Sequence, residues 1–133
     1  MFKTHRAGRS LMHALIIEPE PFTAQLIEDC LSDLGFTSFD FAVDEDYAVT
    51  CAVTRCPDLI TADVTLAGGC GITAVQRICN AAPIPVVYVT ATSSEVRGRS
   101  SGATIVRKPF SIDELTYGVG QARRAAAAAR GKF

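Results

Sequence analysis

Residues 57–63 read Pro57-Asp58-Leu59-Ile60-Thr61-Ala62-Asp63. A proline ends the segment before it, four uncharged residues follow, and an aspartate closes the run. Leu59–Ala62 reads as a strand buried on both faces, with Asp63 at its carboxyl end. The same pattern recurs along the chain. Leu15–Glu18 and Val86–Val89 are apolar strands of similar length, Phe36–Ala42 alternates, and Thr104–Val106 is a short last strand. Between them lie stretches of helical period. Pro21 suits a first helical position, Leu26, Ile27, Cys30, Leu31 and Leu34 make one stripe, and Gly35 stops it. Asp44 caps a helix expected over Glu45–Cys56, and Pro57 ends it. Ile72, Val75, Ile78 and Cys79 share a face of the next helix. Thr92-Ser93-Ser94-Glu95 and Ser111-Ile112-Asp113-Glu114 fit capping boxes for the last two, the final one running into Ala125–Ala129.

Strict strand–helix alternation with short links predicts an α/β fold, a parallel sheet covered by helices on both faces with right-handed crossovers. The 133 residues are 48% hydrophobic and 20% charged, the composition of one globular domain rather than of a disordered or fibrous chain. No apolar run approaches the ~20 residues of a membrane span, and no linker, second domain or signal peptide is expected. Net charge is −1, so bulk charge favours neither nucleic acid nor an anionic membrane. Its distribution is uneven: residues 14–63 hold eleven acids against Arg55 alone, and residues 64–133 hold nine bases against three acids. We expect the two halves to neutralise each other in the fold. The five cysteines (Cys30, Cys51, Cys56, Cys70, Cys79) have neither CxxC nor zinc spacing, which fits a reduced, cytoplasmic protein.

In an open parallel sheet the functional groups collect beyond the strands' carboxyl ends. There the sequence places Glu18, Pro19 and Glu20 after the first strand, Asp63 after the third, Thr90 after the fourth, and Arg107 and Lys108 after the fifth. Each alone is an ordinary loop or cap residue. Together, carboxylates beside a backbone carbonyl make a hard oxygen site suited to magnesium. A lysine and a hydroxyl nearby can hold phosphoryl oxygens, and a carboxylate can itself be the nucleophile that forms an acyl phosphate.

At these residues the sequence resembles the receiver domain of bacterial two-component response regulators. The motifs are Ile16-Ile17-Glu18-Pro19-Glu20-Pro21, residues 57–63, Leu66 with Gly71-Ile72, Val89-Thr90-Ala91, and Lys108-Pro109-Phe110. The resemblance implies a flavodoxin-like (βα)5 fold with strand order 2-1-3-4-5, Asp63 as phosphoacceptor, and Thr90, Ala91 and Lys108 around the phosphoryl group. It further implies a cis bond before Pro109 and Mg2+ held by Glu18, Asp63 and the Thr65 carbonyl. It divides the chain into an extension (1–12), a receiver domain (13–124) and a helical tail (125–133). The implied role is a single-domain phosphorelay protein, not an enzyme beyond slow self-dephosphorylation. Its partners would be a sensor histidine kinase or phosphotransfer protein and a downstream protein, with no nucleic acid or membrane.

Two departures stand out. Pro19 occupies the second position of the family's acidic pair, which leaves Glu20 as a substitute metal ligand or simply a charge at the helix start. Ile105 replaces the aromatic partner of the switch hydroxyl. These favour an alternative, a pseudo-receiver that binds partners without phosphorylation. A third class, a nucleotide-binding enzyme, rests on Gly69-Cys70-Gly71-Ile72-Thr73-Ala74; the glycines start too far from the strand end, and no acidic residue lies at the spacing a ribose needs. Arg97, Arg99, Arg107, Arg123 and Arg124 suggest a face for an acidic partner, and the last two helices a homodimer contact.

Overall fold

The computed structural model describes residues 11–80, 83–100 and 102–131. The elements run β1 (Met12–Ile17), α1 (Pro21–Asp33), β2 (Phe36–Ala42), α2 (Glu45–Thr54), β3 (Leu59–Ala62), α3 (Gly71–Ile78), β4 (Val86–Thr90), α4 (Ser93–Arg99), β5 (Thr104–Arg107) and α5 (Ile112–Arg130). The five strands form one parallel sheet in the order β2-β1-β3-β4-β5. The order reverses between β1 and β3, which opens a crevice at their carboxyl ends.

Alternation along each strand sends neighbouring side chains to opposite layers. Leu15, Ile17, Ile60 and Ala62 pack with Ala48 and Cys51 of α2, Ile72 and Val75 of α3 and Val96 of α4. Ala14, Ile16, Leu59, Val87 and Val89 pack with Ile27 and Leu31 of α1 and Leu115 and Val119 of α5. Every residue of β3 is buried, as its uncharged run predicts. Burial of this apolar area, not helix propensity, holds the layers together.

The helix starts follow from local chemistry. Asp44 accepts from the Tyr47 N–H at 2.8 Å, and Ser111 and Glu114 close a reciprocal capping box. The capping box expected at Thr92 does not form. Thr92 is the N-cap of α4 but makes no side-chain cap bond; its Oγ1 lies instead 3.0 Å from Thr90 Oγ1.

Two boundaries differ from the sequence expectation. β1 opens at Met12, inside the expected extension, and includes His13. The His13 ring is buried because Ser38 Oγ lies 2.9 Å from Nδ1 and Asp40 Oδ2 lies 2.9 Å from Nε2. α2 stops at Thr54, two residues early, because a residue before proline is pushed out of the helical region and Arg55 is already extended. α5 runs through Ala125–Ala129 to Arg130, as the sequence predicts. The expected extension over 1–10 and the tail residues 132 and 133 lie outside the described residues. Among the described residues, no helix is long and apolar enough to cross a membrane. All five cysteines are free, with Cys30 and Cys51 buried.

Candidate phosphoacceptor site

Strand ends set the site. The Asp63 N–H donates to the Ile17 carbonyl at 2.9 Å and the Glu18 N–H to the Ala42 carbonyl at 2.9 Å, so the sheet's hydrogen bonding carries both residues past the strand ends. The Lys108 N–H donates to the Thr90 carbonyl at 3.0 Å and does the same for β5. The Lys108-Pro109 peptide is cis.

Three side chains meet there from three parts of the chain. Lys108 Nζ donates to Asp63 Oδ2 at 2.9 Å and to Glu18 Oε2 at 3.0 Å. It also forms an ion pair with Glu18 Oε1 at 3.0 Å, an oxygen that is buried and accepts no hydrogen bond. The other Asp63 oxygen, Oδ1, accepts from the Val64 N–H at 2.7 Å. The Glu18 side chain is 1% exposed and that of Asp63 13%, so Asp63 is the carboxylate a second reactant can approach.

Burial pushes the Glu18 carboxyl above its ordinary value, opposed by its contacts with Lys108. Burial works against the Lys108 charge, yet its hydrogen bonds to Asp63 and Glu18 prevail and hold the ammonium above its ordinary value. The lysine is therefore charged at neutral pH.

The remaining expected residues are placed less directly. Thr90 is buried at the end of β4, but its hydroxyl accepts from the Thr92 N–H at 3.1 Å rather than bonding Asp63. Ala91 follows it and is exposed, as is Thr65 after β3. Glu20 does not turn into the site. Its Oε1 accepts from the Thr23 N–H at 2.8 Å and the Thr23 hydroxyl at 3.0 Å, capping α1, and those bonds hold its carboxyl below its ordinary value. Ile105, where an aromatic was absent, is half-buried.

Among the described residues, no three acidic, histidine or cysteine side chains converge as metal ligands. Magnesium needs fewer, since it is commonly held by one or two carboxylates and several waters. Glu18 Oε1, which accepts no hydrogen bond, and the neighbouring Asp63 carboxylate are hard donors of that kind, so the two carboxylates fit such a site.

Two bases of the second half, Lys108 and Arg77, pair with acids of the first. Besides the Lys108 pairs, Arg77 binds Glu45 at 2.8 Å and Asp46 at 3.0 Å. Arg97 donates to Ser93 Oγ of its own helix at 3.0 Å. Arg99 turns to Thr73 of α3 at 3.0 Å, and Arg123 stacks 4.8 Å from the Phe36 ring centroid.

Comparison with known proteins agrees with this fold. The model of the response regulator receiver domain matches residues 14–119. The chain belongs to the response regulator receiver family, the signalling domains of two-component systems. It is 36% identical over 122 residues to the transcriptional activator protein IrlR of Burkholderia pseudomallei, covering 84% of this chain and 53% of IrlR. It is 33% identical over 109 residues to the transcriptional regulatory protein DltR of Streptococcus agalactiae, covering 78% of this chain and 48% of DltR. The chain thus spans about half the length of these relatives. The solution structure of the Erythrobacter litoralis PhyR response regulator REC domain superposes with a TM-score of 0.76 at 29% identity, covering 84% of this chain and 89% of that one.

Proposed function

We propose that Asp63 accepts a phosphoryl group in phosphorelay signalling in the cytoplasm. The donor would be a phosphohistidine on a sensor kinase or phosphotransfer protein, and the phosphorylated form would act by binding a downstream protein. The observation that carries this reading is Lys108 Nζ bridging Asp63 and Glu18 at 2.9–3.0 Å. An Asp63 carboxylate oxygen attacks phosphorus while the phosphorus–nitrogen bond to the donor imidazole breaks, and the nitrogen keeps the electron pair. The Lys108 ammonium is already ionised and within reach, so it can follow the new charge from carboxylate to phosphoryl oxygen. The Thr90 hydroxyl must exchange Thr92 for the phosphoryl group, a rearrangement of the β4–α4 link and the short helix after it. Glu18, Asp63 and the Thr65 carbonyl would hold magnesium, which when bound offsets the charge of the incoming group.

A second reading, the pseudo-receiver, is favoured by one observation: with Pro19 in place and Glu20 committed to α1, only two carboxylates remain. Incubation of the chain with acetyl phosphate and magnesium separates the two. Our reading expects one phosphoryl group on the peptide containing Asp63, absent from Asp63→Asn. An unmodified wild-type chain at saturating donor contradicts it.

A further inference from the structure

We infer that Glu45, the first residue of α2, is a positioning residue for the phosphoacceptor loop; this rests on the reading of Asp63 given above. Residues 63–71 form a narrow out-and-back loop. Its outgoing limb carries Asp63 and the Thr65 carbonyl, and its returning limb ends where α3 starts against Asp63. The limbs touch through an antiparallel bridge between Thr65 and Cys70 and through the Gly71 N–H, which donates to the Val64 carbonyl at 2.9 Å. Whatever holds Cys70 therefore holds Thr65.

Glu45 holds Cys70. Its Oε1 accepts from the Cys70 N–H at 3.1 Å, and its Oε2 accepts from Arg77 of α3 at 2.8 Å. Its own N–H donates to the Gly68 carbonyl at 2.8 Å, and the Ala67 N–H donates to the Val43 carbonyl at 2.9 Å. The carboxylate also fills the space beside Gly69. A Cβ there would lie 2.5 Å from Glu45 Oε1 and 2.6 Å from its Cβ, on a backbone with φ +88°. Gly69 is thus needed twice, for its left-handed conformation and for the room Glu45 takes. The Glu45 side chain is 18% exposed and touches none of the trio, so it acts through the loop. Groups that orient a ligand from behind commonly set its affinity as strongly as direct ones do.

The test follows amide signals of the full chain during titration with magnesium alone and then beryllofluoride, in wild type, Glu45→Ala, Glu45→Gln and Gly69→Ala. Hydrogen exchange is read without metal. In Glu45→Ala, we expect magnesium affinity to fall about tenfold or more. Cys70 exchange should quicken while β1 and β3 amides keep their protection. Glu45→Gln, whose amide oxygen can still accept from Cys70, should recover most of the affinity. Gly69→Ala, which crowds Glu45 from the loop side while leaving its carboxylate in the chain, should reproduce the loss. Unchanged magnesium affinity in both Glu45→Ala and Gly69→Ala overturns the inference. So does equal loss in Glu45→Gln and Glu45→Ala, or core protection falling in step with Cys70. Wild type that takes neither ligand overturns the phosphoacceptor reading itself; wild type and Glu45→Ala that take both equally overturn only the role of Glu45.

Discussion

Lys108→Ala is expected to destabilise the protein by about 3 kcal/mol near neutral pH, because it strips the counter-charge from a buried carboxylate. Glu18 is 4% exposed, with Asp63 as its charged neighbour and Lys108 as the cation between them. Removing the ammonium leaves two adjacent carboxylates, one in a dry setting. Acid should relieve the penalty. Burial already raises the Glu18 carboxyl above its unfolded value of 4.5, and losing Lys108 removes the main opposing influence. A group raised in this sense contributes stability that is fully present below its unfolded pKa and lost as pH rises through the folded one. The deficit should therefore be largest at neutral pH and shrink as pH falls toward that range. Urea unfolding at several pH values reads it. A variant as stable as wild type at neutral pH, or a deficit that grows on acidification, contradicts the arrangement. Lys108→Met, which keeps the stem, should show the same pH trend.

Gly71→Ala should be equally severe, for a steric reason. α3 starts so close to the end of β3 that a Cβ at position 71 would collide with the Asp63 carbonyl oxygen and lie 2.8 Å from its carbonyl carbon. Both sides of the clash are backbone, and Gly71 is pinned by its bond to Val64. No rotamer change relieves it, so α3 or Asp63 must move. We expect a loss of about 3 kcal/mol. The surviving native state should show displaced amide signals for Asp63 and Val64. A melting curve and spectrum like those of wild type would show that the loop is looser than described.

Much of this was readable in the sequence, for identifiable reasons. β2 and β3 match their expected spans because alternation and unbroken apolarity leave one interpretation. The convergence of Glu18, Asp63 and Lys108 followed from placing polar residues at strand ends of a parallel sheet, up to 90 positions apart. What escaped was decided by tertiary partners. The burial of His13 within β1 depends on Ser38 and Asp40 across the strand pair. Thr92 has the spacing of a capping box, but its hydroxyl goes to Thr90. Glu20 and Glu18 are alike in sequence, and only the start of α1 separates a cap from a site residue. Glu45 reads as a first-turn acid, because its partners Cys70 and Arg77 lie 25 and 32 residues away.

The central claim, that this acidic edge accepts a phosphoryl group despite Pro19, is tested most directly by an amide titration with beryllofluoride, with and without magnesium. The account predicts magnesium-dependent shifts around Asp63, Thr90 and Lys108 that vanish in Asp63→Asn. Silence in wild type at saturating magnesium and beryllofluoride would contradict it and leave a receiver fold that works by constitutive binding.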